Sequence, residues 1–285
     1  MDVKFSCFGG IQDERVSMFL ENLPSPVAHM KLDFSSSSWR GQFNFENFCK
    51  RMKQMCPHLH TLILHHAVFS INLSSVINLC SKYLPNLKVL ILPMSVFGNN
   101  CKEEKFGGIS KIEILDISRC MQIGRFTLSS EVPCLKKLNL SGIVATDNWE
   151  FFCDDNVSFL HQLEYLNLGL TYIISADFRI LQNHAVNLTE LFLCYVSLND
   201  DDFKFNKPVF PLLKTICIIN SRFVTCEGIV SLVMSCQSLV DVYVDMKLAE
   251  SYANHPFVIL NVLKLGIVKG IIYCNHHKEL EYMLQ

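Results

Sequence analysis

The chain has 285 residues, half of them hydrophobic and 18% charged, with 25 Lys plus Arg against 27 Asp plus Glu and a formal net charge of -2. Near-neutrality without a basic block argues against a primary nucleic-acid binder, whose phosphate contacts need clustered Lys and Arg. A mean hydropathy of +0.25 would suit a membrane protein, yet no stretch reaches the roughly 18 to 20 uninterrupted apolar residues of a spanning helix, and Val258 to Tyr273 is broken by Asn261, Lys264 and Lys269.

Along the chain, the opening residues Met1-Asp2-Val3-Lys4-Phe5 lack the basic-then-apolar build of a secretory signal, so an intracellular, soluble protein is expected, in the cytoplasm or nucleus. From Val27 onward one pattern recurs: an apolar residue, two variable ones, an apolar, one variable, an apolar. It appears at Val27/Met30/Leu32, Leu59/Leu62/Leu64, Leu87/Leu90/Leu92, Ile112/Leu115/Ile117 and Leu135/Leu138/Leu140. It continues at Leu163/Leu166/Leu168, Leu188/Leu191/Leu193, Leu213/Ile216/Ile218, Leu239/Val242/Val244 and Leu260/Leu263/Leu265. Ten registers spaced on average about 26 residues apart fall in the leucine-rich-repeat range.

Apolar residues two apart, as in Leu62/Leu64, share one face of a short strand, and the residue between them points outward. Between strands the period changes. Phe45, Phe48, Cys49 and Met52, then Leu73, Val76, Ile77, Cys80 and Leu84, then Ile229, Leu232, Val233 and Cys236 each make a single helical stripe. A strand-turn-helix unit of this kind can bury its apolar faces only against the next unit. Cys101 to Ser110, Arg125 to Val132 and Met246 to Pro256 predict turns or abbreviated helices, and Ser35-Ser36-Ser37-Ser38 an exposed loop. The fold expected is an α/β leucine-rich-repeat solenoid of about ten repeats, a curved horseshoe with parallel strands on the concave face and helices on the convex one. Residues 27–265 would form the solenoid, 1–26 an N-terminal cap and 266–285 a C-terminal cap or tail.

The stretch Ser221 to Leu239, with Thr225-Cys226-Glu227-Gly228-Ile229 opening a helix and Cys236 preceding the next strand, resembles the cysteine-containing leucine-rich repeats of F-box substrate receptors. Cys56-Pro57-His58-Leu59, Pro85, Pro133 and Pro211 before other strands, and Cys120 after Asp116-Ile117-Ser118-Arg119 add to it. Three residues beyond the last strand apolar stand Ala67, Ser95, Cys120, Ile143, Thr171, Val196, Ser221 and Lys247, so only one has the family's Cys. Leu23-Pro24 is followed after two residues by Val27, and no F-box is visible within the sequence. Leu138-Asn139-Leu140-Ser141 also resembles the strands of leucine-rich receptors of elongin-cullin ligases. The resemblance implies the substrate-recognition subunit of a cullin-RING ubiquitin ligase, holding a protein target on its concave face and joined through a Skp1-type or elongin adaptor. A scaffold or inhibitor that binds one protein without ubiquitin chemistry is the alternative.

Other candidate chemistry is thin. The thirteen cysteines are odd in number and never spaced Cys-x-x-Cys, so buried reduced thiols are expected. His58, His60, His65 and His66 leave opposite ends of one strand with no cysteine at ligand spacing, and Cys274, His276 and His277 lack a second ligand pair. Asn199-Asp200-Asp201-Asp202 does not alternate its carboxylates as a calcium loop does and reads as a polar turn capping a short helix. No catalytic residue, cofactor or metal site is expected, and no nucleic acid or membrane as partner.

The outward strand positions hold Ile63, Val89, Ile91 and Ile114 early, then Tyr165, Phe192, Tyr195 and Tyr243, interleaved with Glu190 and Asp241. Adjacent strands about 4.8 Å apart would let one partner touch a whole column. Ile63, Ile91, Tyr165, Glu190, Phe192, Tyr195, Asp241 and Tyr243 are therefore the candidate partner-binding residues. Two readings stand side by side: a protein-binding surface, or aromatics covered by a terminal segment or simply tolerated.

Overall fold

The computed structural model describes residues 2–6, 27–35, 44–98, 111–123, 134–143, 152, 157–205, 207–221, 223–245 and 270–274. The expected turns at 101–110 and 125–132, the span 246–256, the register at Leu260/Leu263/Leu265, Ser36 to Ser38, and His276 and His277 lie outside these residues. Two compact units divide the chain. The first comprises Met1–Leu138 with Ile143–Trp149, and the second Asn139–Gly142 with Glu150–Gln285.

Strands in the first unit are β1 (Asp2–Ser6), β2 (His29–Asp33), β3 (Thr61–His65), β4 (Val89–Ile91) and β5 (Ile114–Asp116), each parallel to the next. The chain passes to the second unit within β6 (Lys137–Asn139). There β7 (Tyr165–Asn167), β8 (Glu190–Phe192), β9 (Thr215–Cys217), β10 (Asp241–Asp245) and β11 (Gly270–Cys274) again pair in parallel and in chain order. This in-register, one-repeat-per-strand stacking is the leucine-rich-repeat solenoid fold. The span expected as a cap at 1–26 contributes β1, and β10 pairs with Gly270–Cys274.

Among the described residues four helices occupy inter-strand segments: α1 (Phe45–Met55), α2 (Leu73–Tyr83), α3 (Ser175–His184) and α4 (Cys226–Ser235). The stripes read from the sequence are buried in α1, α2 and α4, facing the buried strand apolars such as Leu62, Leu64, Leu191 and Ile216. Each fully buried Leu or Ile contributes on the order of 1.5–3 kcal/mol. Two other inter-strand segments carry 3-10 turns, at Ser158–Gln162 and Asp200–Phe203. Helix starts follow capping chemistry: Asn44 Oδ1 accepts from Asn47 N, Asn72 Oδ1 from Ser75 N at 2.7 Å, and Thr225 Oγ1 from Glu227 N. No helix among the described residues is long and apolar enough to cross a membrane.

Polar pegs tie successive repeats together on both sides of the strands. Just before the strand, Asn86 Nδ2 donates to Pro57 O, Asn187 Nδ2 to His161 O and Ser238 Oγ to Pro211 O, each reaching one repeat back. Just after it, Ser95 Oγ donates to Leu64 O, the Cys120 thiol to Leu92 O and Ser221 Oγ to Leu193 O. At this post-strand position Ser95 and Ser221 make the bond that Cys120 makes with its thiol, so Ser serves where the resembling family has Cys. Buried carbonyls are satisfied by this device.

One backbone feature recurs that the apolar pattern does not announce. Two residues beyond the last strand apolar, the chain turns through the left-handed region at His66, Met94 and Arg119 in the first unit and at Gly142, Leu170, Tyr195 and Asn220 in the second. Only Gly142 is the residue type that adopts this conformation without a Cβ penalty. The turn is held by ladder bonds that run past the strands, among them Met94 N to Ser118 O, Leu170 N to Cys194 O and Tyr195 N to Ile219 O.

Candidate protein-binding face

The outward columns anticipated from the sequence are real registers. In the second unit Tyr165, Glu190, Thr215 and Asp241 stand side by side, as do Asn167, Phe192, Cys217 and Tyr243. In the first, Lys31, Ile63, Ile91 and Asp116 form the matching column. The candidate residues therefore fall into two patches: Ile63 and Ile91, both half-buried, in one unit, and the other six in the other.

The second patch is built on a hydrophobic cluster of its own, on the strand face and distinct from the strand-helix interior. Phe192, Cys194, Cys217 and Ile219 are buried there, with Tyr165, Tyr195 and Tyr243 packed half-buried against them. The Tyr165 and Phe192 ring centroids lie 5.3 Å apart in a tilted pair, within the range aromatic rings favour. This corrects one expectation. Phe192, read from the sequence as an exposed contact, is only 7% exposed, because its outward position is roofed by the flanking tyrosines. Glu190 and Asp241 are half-buried in the column beside Tyr165, and neither has an ion-pair partner among the described residues.

Asp116 in the first unit, and Asn139 and Asn167 in the second, hold the equivalent outward strand position, and each turns a side-chain oxygen back to its own chain. Each accepts the backbone N–H two residues on, from Ser118 at 2.8 Å, Ser141 at 3.1 Å and Gly169 at 2.9 Å, fixing the end of its strand. Asn167 is fully buried, and its Nδ2 has no hydrogen-bond partner among the described residues.

Several exposed apolar residues escaped the sequence reading. Leu170 is 40%, Tyr172 64% and Phe223 60% exposed, all in turns that follow the strands of the second unit. The available signal was positional: Leu170 occupies the left-handed turn site that elsewhere takes Gly142, Arg119 or Asn220.

The remaining candidates resolve into structural roles. His66 Nδ1 lies 3.5 Å from Asp33 Oδ1, and the His65 and His66 rings are 6.4 Å apart. Burial, and then the neighbouring Lys31, hold the His65 imidazole below its ordinary value against the opposing pull of Asp33. Among the described residues no group of three or more His, Cys, Asp or Glu could hold a metal ion. In the acidic run, Asn199 Oδ1 accepts from Asp201 N, Asp202 Oδ2 accepts from Asn199 N, and Asp201 pairs with Lys204 at 2.6 Å. Asp200 reaches the next repeat, accepting from Thr225 N at 2.7 Å and Thr225 Oγ1 at 2.6 Å. The run is a polar turn and a cap.

No family model matches the chain. No curated protein matches it. Among solved structures, a chain of the crystal structure of a TLR13-ssRNA13 complex is similar at 18% identity with a TM-score of 0.44, covering 79% of this chain. The match spans 27% of that much longer chain.

Proposed function

We propose that the chain is a protein-binding repeat module whose contact surface includes the tyrosine-lined strand face of the second unit. The observation that carries this reading is the strand-face cluster: an apolar base of Phe192, Cys194, Cys217 and Ile219 holds Tyr165, Tyr195 and Tyr243 half-exposed beside Glu190 and Asp241. Tyrosines whose rotamers are already limited by packing lose little entropy on binding, and aromatic residues of this kind are common anchors of protein interfaces. The finer reading is a substrate-recognition subunit of a cullin-RING ligase, which rests on the resemblance of Thr225 to Gly228, Cys120 and Cys236 to F-box-type repeats. A scaffold or inhibitor without ubiquitin chemistry is the second reading, and one experiment separates the two.

The full chain is used to capture partners, identified by mass spectrometry, alongside two variants: Tyr165→Ala with Tyr243→Ala, and Glu190→Arg with Asp241→Arg, which keeps the rings. A specific partner held by the wild type and lost from both variants, at nearly unchanged melting temperature, is the expected result. Recovery of a Skp1-type or elongin adaptor with a cullin supports the ligase reading, and a reproducible partner without them supports the scaffold. Capture unaffected by both variants removes the strand face as the contact surface.

A further inference from the structure

The strand-face cluster contains a chemical group that the binding proposal does not use. Cys194, just past β8, and Cys217, closing β9, aim their sulfurs at each other across adjacent repeats, with Sγ atoms 3.1 Å apart. Both are buried, at 1% and 0% exposure. A disulfide needs about 2.05 Å, so roughly 1 Å of approach remains, and because Cys194 stands opposite Ile219 in the ladder, diagonal to Cys217, closing it takes a small backbone shift as well as side-chain torsions. We propose that Cys194 and Cys217 are a modification site for small hydroperoxides, oxidised to a reversible disulfide that ties β8 to β9.

Location sets this pair apart from the thiols of the strand-helix interior. Cys49 and Cys80 lie on the inward stripes of α1 and α2, and Cys120 is turned inward with its proton on the Leu92 carbonyl. Cys194 and Cys217 lie on the strand face, where the cover consists of half-buried rings, Tyr195 from the adjoining turn and Tyr243 from the neighbouring strand. Ring rotation is enough to admit a molecule little larger than water. The acid–base chemistry runs the same way. The hydrogen bond from Cys217 pulls the Cys194 thiol below its ordinary value against the upward push of burial, helped by the Ile219 backbone N–H. Burial pushes Cys49, Cys56, Cys120 and Cys236 up instead.

The steps balance with hydrogen peroxide as the oxidant. The Cys194 thiolate attacks one peroxide oxygen, the O–O bond breaks, and the departing hydroxide takes up the proton that Cys194 released and leaves as water, giving a sulfenic acid. The Cys217 sulfur then attacks Cys194 Sγ. The S–S bond forms as the S–O bond breaks, and the hydroxyl leaves with the Cys217 proton as a second water. Two thiols and one peroxide become one disulfide and two waters, and a dithiol reverses the change by exchange.

The test exposes the reduced full chain to hydrogen peroxide in small excess, blocks remaining thiols by alkylation in denaturant, and maps the peptides. A Cys194–Cys217 linkage forming ahead of oxidation at Cys49, Cys80, Cys120 and Cys236, and reversed by dithiothreitol, is the result expected. The linkage closes a loop across 23 positions of sequence and should raise the melting temperature by roughly 5 to 10 °C. In Cys217→Ser, dimedone should label Cys194, though the wild-type map decides the matter by itself. Either cysteine linked elsewhere, or both still alkylatable after the other thiols are consumed or after prolonged excess peroxide, overturns the proposal.

Discussion

Replacing Gly228 by Ala should change sign with the identity of residue 200. A Cβ built at Gly228 would overlap Asp200 Oδ1 and lie 3.3 Å from Asp200 Cα. To make room the carboxylate must leave Thr225, giving up its bonds to the backbone N–H at 2.7 Å and to the hydroxyl at 2.6 Å. Charge-assisted hydrogen bonds are worth about 1.5–3 kcal/mol each when buried, and at this half-exposed turn about 2 kcal/mol for the pair is the reasonable figure. Ala is better than Gly inside a helix by about 1 kcal/mol. The net cost of Gly228→Ala in the wild type is therefore about 1 kcal/mol. In an Asp200→Ala background, itself destabilised by about 2 kcal/mol through loss of the same bonds, only the close approach to the backbone of residue 200 remains, and a shift of a few tenths of an ångström relieves it. There Gly228→Ala should be neutral to stabilising by about 0.5 kcal/mol. The coupling, about 1.5 kcal/mol, is read from urea midpoints of the four proteins followed by far-UV circular dichroism at constant slope. Equal effects of Gly228→Ala in both backgrounds would refute the account of this glycine as the seat of the neighbouring repeat's carboxylate.

Arg119 is exposed and turns through φ 54, so Arg119→Gly relieves left-handed strain of about 1–2 kcal/mol and adds about 0.5–1 kcal/mol of chain entropy cost. Stabilisation of about 0.5–1 kcal/mol in the urea midpoint is expected, and a loss of stability would mean the turn is not strained. His65, whose folded-state pKa lies below the ordinary 6.5, titrates more readily in the unfolded chain. Its contribution is present above pH 6.5 and is lost as pH falls below that value. His65→Gln should flatten the stability profile in that window, and an unchanged slope would show that the loss originates elsewhere.

The repeat was legible because burial enforces it: Leu62/Leu64 and Leu191/Leu193 cannot move by one residue without turning their side chains to the opposite face. The helical stripes of α1, α2 and α4 were legible for the same reason. Helix α3 was not, since its buried face includes Asp177, an acid that accepts the Phe152 and Ile174 backbone N–H groups where an apolar residue would have signalled the stripe. The left-handed turns were equally hidden. Ladder hydrogen bonds impose them, and His66, Met94 and Tyr195 adopt them without the glycine that would have marked the site.

Phe192 shows the limit of reading an outward column as an exposed one. Alternation says which way a side chain leaves the sheet, but whether it meets solvent depends on its neighbours across strands, and those follow from register. Here Asn167 and Cys217 flank Phe192, leaving space that Tyr165, Tyr195 and Tyr243 lean over. The outward face thereby gains an apolar base, a second place besides the strand-helix interior where this half-hydrophobic chain buries apolar side chains. It also changes which residues can meet a partner. Phe192→Ala would excavate a cavity and cost about 3–5 kcal/mol if the site did not relax, so loss of binding in that variant would report on the platform. The tyrosines resting on it, with Glu190 and Asp241 beside them, are the positions at which binding can be altered while the fold stays intact.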